Sequence, residues 1–207
     1  MLPDPSPSNH EPVWPNVSEL AEVRFIEPPH PSLISEEELV GQCRVTSHRR
    51  GGPGGQHRNK VSSAVMILHE PTKISAEASE RRDQSQNRRV AIERLRVRFA
   101  MLLRSQLRTS QVETPIPGLA ICEEEDELRR RWRSRPLKIA ESNFDRAGIL
   151  ALLLDDLHRS GGQPSLVASL WDTSTTSVVQ FIRSQPAAFQ LLNQWRIHHG
   201  RQPLRHS

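Results

Sequence analysis

Apolar positions fall into distinct blocks along the 207 residues. Residues 1–31 hold eight of the sixteen prolines and read as an extended arm without a core of its own. Val13–Trp14 and Phe25–Ile26 are its apolar pairs for docking. Ser35, followed by Glu36, Glu37 and Glu38 with Leu39 and Val40 behind, is a capping box and predicts a short helix. Residues 42–47 alternate, with Cys43, Val45 and Ser47 on one side and Arg44 and Thr46 on the other, which predicts a strand. Residues 48–60 form a glycine-rich, basic loop. Residues 61–68 are β-branched and apolar, predicting a strand buried on both faces; 69–73 is a turn, and 74–78 returns as a strand. From 79 to 108 the period is helical, with Ala91, Ile92, Leu95, Phe99, Leu102 and Leu103 on one face and arginines on the others. The expected fold is α+β: a small mixed sheet packed on one long basic helix, followed by an all-α helical bundle.

Pro115, Pro117 and Gly118 break the chain before that bundle. An acidic run at 123–127 then meets Arg129, Arg130, Arg131, Arg133 and Arg135. Glu125–Arg129, Asp126–Arg130 and Glu127–Arg131 have the favourable i,i+4 polarity, so a charged helix is expected up to Pro136, either solvated or touching RNA. Beyond it, Ser142 and Asp145 offer caps for a helix to Arg159 that Gly161 stops. Pro164 opens a short helix to Trp171, Thr173–Ser174–Thr175 caps a third helix to Ser184, and Pro186 opens a fourth that Gly200 ends. The apolar residues of 142–207, at helical spacing, suffice for a bundle expected to fold by itself. The expected divisions are an arm (1–31), an α+β domain (32–110), a charged linker helix (111–141) and the bundle (142–207).

Charge changes this picture more than composition does. The 28 basic residues exceed the 24 acidic ones by only four, but residues 44–108 carry 15 bases against 5 acids, a net of +10, and the remainder carries −6. Such a segment is the electrostatic footprint of a polyanion partner. All but Lys60, Lys73 and Lys138 of the bases are arginine, whose planar fork suits phosphates and stacking on bases. No apolar run approaches the ~20 residues of a membrane span, and no signal or transit peptide is visible at the N-terminus. Cys43 and Cys122 have no partner spacing. A cytoplasmic protein is the expectation, with no membrane, metal or cofactor; nothing fixes an oligomeric state, and a monomer is expected.

The chemistry concentrates in Gly51-Gly52-Pro53-Gly54-Gly55-Gln56-His57-Arg58-Asn59-Lys60. Consecutive glycines leave no side chain between backbone and ligand, so backbone N–H groups can reach a crowded reaction centre. Gln56 both donates and accepts but has no useful acid or base character. Arg49, Arg50, Arg58 and Lys60 flank this tip with phosphate-binding charge. The spacing is not that of a P-loop, because Val61 follows Lys60 and a strand follows where a helix should. A dinucleotide loop fails likewise.

This stretch, with Ser63-Ala64-Val65 after it, resembles the catalytic domain of the class I peptide-chain release factors. His69, Pro71 and Thr72 match the family's hairpin turn, and Glu80, Arg82, Gln84, Asn87 and Ala91 match its entry into the long helix. Gly51 stands where serine is usual, Met66 where a basic residue is common and Lys73 where the turn usually has glycine. The resemblance covers about 32–108 and implies catalysis by Gly54, Gly55 and Gln56. Arg49, Arg50, His57, Arg58, Asn59, Lys60, Arg82, Gln84, Asn87, Arg88 and Arg89 are then expected to contact RNA. The implied partners are large-subunit ribosomal RNA and peptidyl-tRNA.

Residues outside 32–108 show no match to the codon-reading domain, so the chain resembles the codon-independent, ribosome-rescue branch, acting on stalled or split ribosomes. In that family the glutamine backbone stabilises the oxyanion formed as water attacks the peptidyl-tRNA ester, its side chain helps place water, and the substrate's ribose hydroxyl is thought to serve as base. His57 sits among cations and is read as an RNA contact rather than as the base. Gly161-Gly162-Gln163 repeats the tripeptide, but it follows an apolar helix and precedes Pro164, so it reads as a helix stop and restart. Two other functions compete: a non-catalytic ribosome- or RNA-binding module, and a nucleic-acid-binding regulator built on the bundle, against which the acidic flanks speak.

Overall fold

The computed structural model describes residues 23–48, 63–105 and 122–205. In chain order these form β1 (Arg24–Ile26), α1 (Glu36–Gly41), β2 (Cys43–His48), β3 (Ala64–His69), β4 (Ser75–Ala78), α2 (Gln84–Leu102), β5 (Leu103–Ser105), α3 (Glu123–Trp132), α4 (Asp145–Arg159), α5 (Pro164–Leu170), α6 (Thr175–Arg183) and α7 (Pro186–His198).

The local signals act as their chemistry requires. Ser35 accepts the Glu38 backbone N–H at 3.2 Å and starts α1. Asp83 accepts Ser85 N–H at 3.2 Å and caps α2, which starts at Gln84 rather than at 79 as expected. Ser174 accepts Ser177 N–H at 3.0 Å and starts α6. Pro164 and Pro186 open α5 and α7, where a missing N–H costs nothing.

β2, β3 and β4 make a three-stranded antiparallel meander, with Cys43 opposite His69, His48 opposite Ala64 and Val65 opposite Ala78. It is not one mixed sheet: the parallel pairing lies apart, between β1 and β5. Side chains alternate across β3. Val65, Ile67 and His69 are buried under α2, whereas Met66 on the other face is 37% exposed and Leu68 only half-buried. The strand expected to be buried on both faces is therefore fully buried on one, while on the other Ala64 is buried, Leu68 is half-buried and Met66 is exposed.

Two further expectations fail for a shared reason. Helix α2 ends at Leu102, not at 108, because Leu103–Ser105 turns extended and pairs with Arg24–Ile26. The same pairing ties down the last part of the proline-rich arm, where His30, Pro31 and Ser32 are buried; residues 1–22 lie outside the described residues. Nor do arginines merely coat α2. Arg96 is 5% exposed, donates to Ile34 O and stacks on Phe144 at 3.7 Å from the ring centre. Arg104, 1% exposed, donates to Ala100 O and Met101 O beside Asp155.

The helices after residue 142 do not enclose a separate core. Every residue of α4 from Ala147 to Leu157 is buried, the apolar stretch to Leu154 on all its faces and the acids Asp155 and Asp156 with it. It packs against α2, β5, α3, α5 and α7. One buried cluster accordingly runs from Leu39, Val65 and Phe99 through Leu150–Leu154 to Phe189 and Trp195. Gly148 lets α4 approach closely: a Cβ there would meet Leu128 Cδ2 at 2.8 Å and Leu33 Cγ at 3.3 Å.

A buried polar cluster closes this interface. Glu125 of α3, 0% exposed, accepts from His30 N–H at 3.1 Å and from Ser105 Oγ at 2.8 Å. Asp156 accepts from Arg129, from Trp171 Nε1 at 2.8 Å and from Arg159 at 3.4 Å. Asp155 accepts from Ser105 N–H at 3.2 Å, and burial pushes its carboxyl up to about 7 against the pull of Arg104 and Arg159. The expected charged linker helix is therefore half built in. Glu127–Arg131 pairs at 2.8 Å as its spacing predicts, but Arg129 turns to Asp156 and Glu125 to His30 and Ser105.

Candidate active site

The site is framed by the stems of the segment joining β2 to β3. β2 ends at His48 and β3 begins at Ala64, opposite one another in antiparallel register. The segment between them contains Arg49, Arg50, Gly54, Gly55, Gln56, His57, Arg58, Asn59 and Lys60, all of which lie outside the described residues. On the first stem, His48 Nε2 lies 3.4 Å from Glu77 Oε1 of β4. On the second, the carbonyl of Ser63 accepts from Asn87 Nδ2 at 2.7 Å.

The opening of α2 lies beside these stems. Arg82, Gln84, Arg88 and Arg89 are exposed, as RNA contacts would have to be, and so is Arg81. The acids here have partners of their own: Asp83 binds Ser85, Glu80 pairs with Arg94 at 2.7 Å, and Glu93 lies 3.5 Å from Arg89. Arg81, Arg82 and Arg88 add cations to the positive end of the helix dipole. The surface at the foot of the glycine-rich segment is thus cationic and built on a rigid helix.

Residues 36–131 match a family model described as the RF-1 domain. Over 58 residues the chain is 47% identical to "Peptide chain release factor 2" of Paramagnetospirillum magneticum, covering 28% of this chain and 16% of that protein. It is 46% identical over 71 residues to "Peptide chain release factor 1-like, mitochondrial" of Mus musculus, covering 34% and 19%. To "Peptide chain release factor 1" of Nitrosomonas europaea it is 44% identical over 70 residues, again 34% and 19%. Residues 36–131 carry the RF-1 domain of the class I peptide-chain release factor superfamily. The chain spans 16–19% of the length of these relatives.

Within that superfamily domain, three positions gain a physical explanation. Asn87, expected to contact RNA, is 0% exposed and faces inward. Its amide donates to Ser63 O at 2.7 Å and Arg81 O at 2.8 Å, and its Oδ1 accepts Arg81 N–H at 2.9 Å. His69 is 2% exposed, wedged edge-on against Phe99, and its ring nitrogens meet Thr72 Oγ1 at 2.8 Å and Gln42 Oε1 at 2.9 Å. Burial lowers its pKa, so it braces the β3–β4 turn as a neutral ring. Lys73, where glycine is usual, holds φ of 58°, the left-handed region that a side chain disfavours, and its Nζ reaches Glu70 at 2.7 Å. The pattern of residue types pointed to Asn87 and His69; a polar residue at i and another six or more positions away does not reveal that the bonds run inward.

The second Gly-Gly-Gln is a structural joint. Gly161 and Gly162 take φ of 60° and 73° after α4, with Gly162 N–H bonded to Leu157 O at 2.7 Å. Arg196 and Arg201 donate to the carbonyls of Gly162 and Gly161 at 2.6 and 3.0 Å. Gln163 folds back, donating to Ser160 O at 2.9 Å.

Proposed function

We propose that this protein hydrolyses the peptidyl-tRNA ester on stalled or split ribosomes without reading a codon. The observation that carries the reading is the position of Gly54-Gly55-Gln56. They lie in the segment that joins β2 to β3 of an RF-1 domain, flanked in sequence by Arg49, Arg50, Arg58 and Lys60, and the stem of that segment at Ser63 is bonded to the helix carrying the exposed cations of α2. The relatives that match are release factors by name.

The chemistry required is modest and suits these residues. Water attacks the ester carbonyl and negative charge gathers on its oxygen. A backbone N–H at Gln56, unshielded by side chains at Gly54 and Gly55, stabilises that oxyanion, and loss of one such donor costs about 10²–10³ in rate. The Gln56 amide, which neither gains nor loses protons near neutrality, orients water. Exposed arginines at 82, 88 and 89 bind RNA phosphates and hold the domain in place.

The test is peptide release from ribosomes whose decoding site is empty, compared with ribosomes displaying a stop codon there. Release from the empty-site complex at least as fast as from the stop-codon complex is expected. Release that requires the stop codon would assign the protein to codon-dependent termination.

A further inference from the structure

The residue expected to touch RNA but found buried carries a more specific role. We infer that Asn87 is a positioning residue for the glycine-rich segment: from one buried side chain it fixes both the point where residues 49–62 rejoin the sheet and the point where the chain turns into α2. This rests on the reading of Gly54-Gly55-Gln56 as the reacting loop.

Three hydrogen bonds converge on one amide. Nδ2 spends both its hydrogens, on Ser63 O at 2.7 Å and Arg81 O at 2.8 Å, and Oδ1 takes Arg81 N–H at 2.9 Å. Three partners, two acceptors and one donor, match an amide of this size, and no other side chain of similar volume supplies two donors and one acceptor. Asn87 itself is set by the first turn of α2, where its backbone N–H bonds to Asp83 O at 3.1 Å. Ser63 lies one residue before β3 and is 24 positions away in sequence. The side chain thus clamps one stem of the loop to the helix carrying Arg82, Arg88 and Arg89. The RNA-binding cations and the reacting tip are thereby referred to one rigid frame. Alignment of that kind acts on the chemical step, because an ångström of misplacement at a reacting centre costs on the order of a hundredfold.

Asn87→Asp keeps size and the Oδ1 acceptor but replaces both donors with an oxygen facing two carbonyls. In the full-length protein, release is measured against factor concentration on ribosomes with an empty decoding site. The rate at saturation should fall by about tenfold or more, with half-saturation within about twofold of wild type. Arg88→Ser should do the opposite, weakening half-saturation and sparing the saturated rate. Tryptic cleavage at Arg49, Arg50, Arg58 or Lys60 gives a readout independent of activity, and it should be several-fold faster in Asn87→Asp at an unchanged melting temperature. If Asn87→Asp does not fold, Asn87→Ser, which leaves room for a bridging water, should show the same two changes in smaller measure. A variant that weakens half-saturation alone would make Asn87 an RNA contact, and wild-type cleavage together with a wild-type saturated rate would remove it from any role in the loop. If the cleavage change appears but the wild-type protein releases no peptide, the clamp stands and the hydrolase reading falls.

Discussion

Single residues hold the second of the two Gly-Gly-Gln tripeptides in place. Gly162 illustrates the constraint on the second: its φ of 73° disfavours any side chain, and a Cβ there would meet Arg196 Cγ at 2.7 Å. Gly162→Ala should therefore cost about 1–3 kcal/mol, read as a fall of several degrees in Tm, while leaving the release rate of the folded protein unchanged. Gln163→Ala should alter neither strongly; a large loss of release from it would overturn the assignment of this joint. Buried His30 leaves a different signature. Burial first, and Arg104 second, lower its pKa to about 3 from an ordinary 6.5. The unfolded chain thus binds a proton there from pH 6.5 downward that the folded chain refuses until pH 3, so stability falls as pH falls through this window. Asp155 acts with the opposite sign, since its raised pKa loses stability as pH rises towards 7. Comparing His30→Asn with wild type isolates the first effect. Between pH 4 and 6 the variant's stability should depend on pH less steeply by about 1.4 kcal/mol per unit, the value of one proton, as measured by denaturant unfolding. Equal slopes would mean that His30 is protonated in the fold.

At the scale of elements, what could be read in advance was whatever the chain settles locally. Ser35 and Ser174 mark helix starts through bonds to their own next turn, Pro164 and Pro186 mark them through a fixed φ and a missing N–H, and Gly161 marks a stop through its dihedrals. What could not be read was settled by distant partners. Leu103 leaves α2 because Arg24 offers it a strand 79 positions away, and Arg129 forsakes the well-spaced Glu125 for Asp156. For the site, the glycine-rich segment and the exposed Arg82, Arg88 and Arg89 were legible as residue types, whereas the inward turn of Asn87 was not, since burial is a tertiary property. The same reasoning revises the expected independence of the C-terminal helices. Ending the chain after residue 135 would strip α4 from α2 and leave Asp155 and Asp156 missing from the cluster around Arg104, Arg129 and Glu125. The truncated protein should lose cooperative thermal unfolding or aggregate, because removing one side of a buried charge cluster costs about 3–5 kcal/mol before any apolar area is counted. A truncation that melts cooperatively near the wild-type temperature would restore the view of a separable bundle.

The whole molecule combines a basic segment of net +10 with mildly acidic flanks, joined through one continuous core. Binding to ribosomes should then weaken steeply with salt, with a log–log slope of about −3 or steeper if four or more phosphates are neutralised. An affinity that stays flat across about 50–200 mM salt would argue against RNA as the main partner. The measurement that bears most directly on the central claim separates chemistry from binding in Gln56→Ala, by release of peptide from ribosomes with an empty decoding site alongside co-sedimentation with the same ribosomes. On the proposed reading the variant keeps the arginines and the backbone N–H but loses the amide that orients water, so it should sediment like wild type and release peptide about a hundredfold more slowly. Wild-type release by Gln56→Ala would contradict the account.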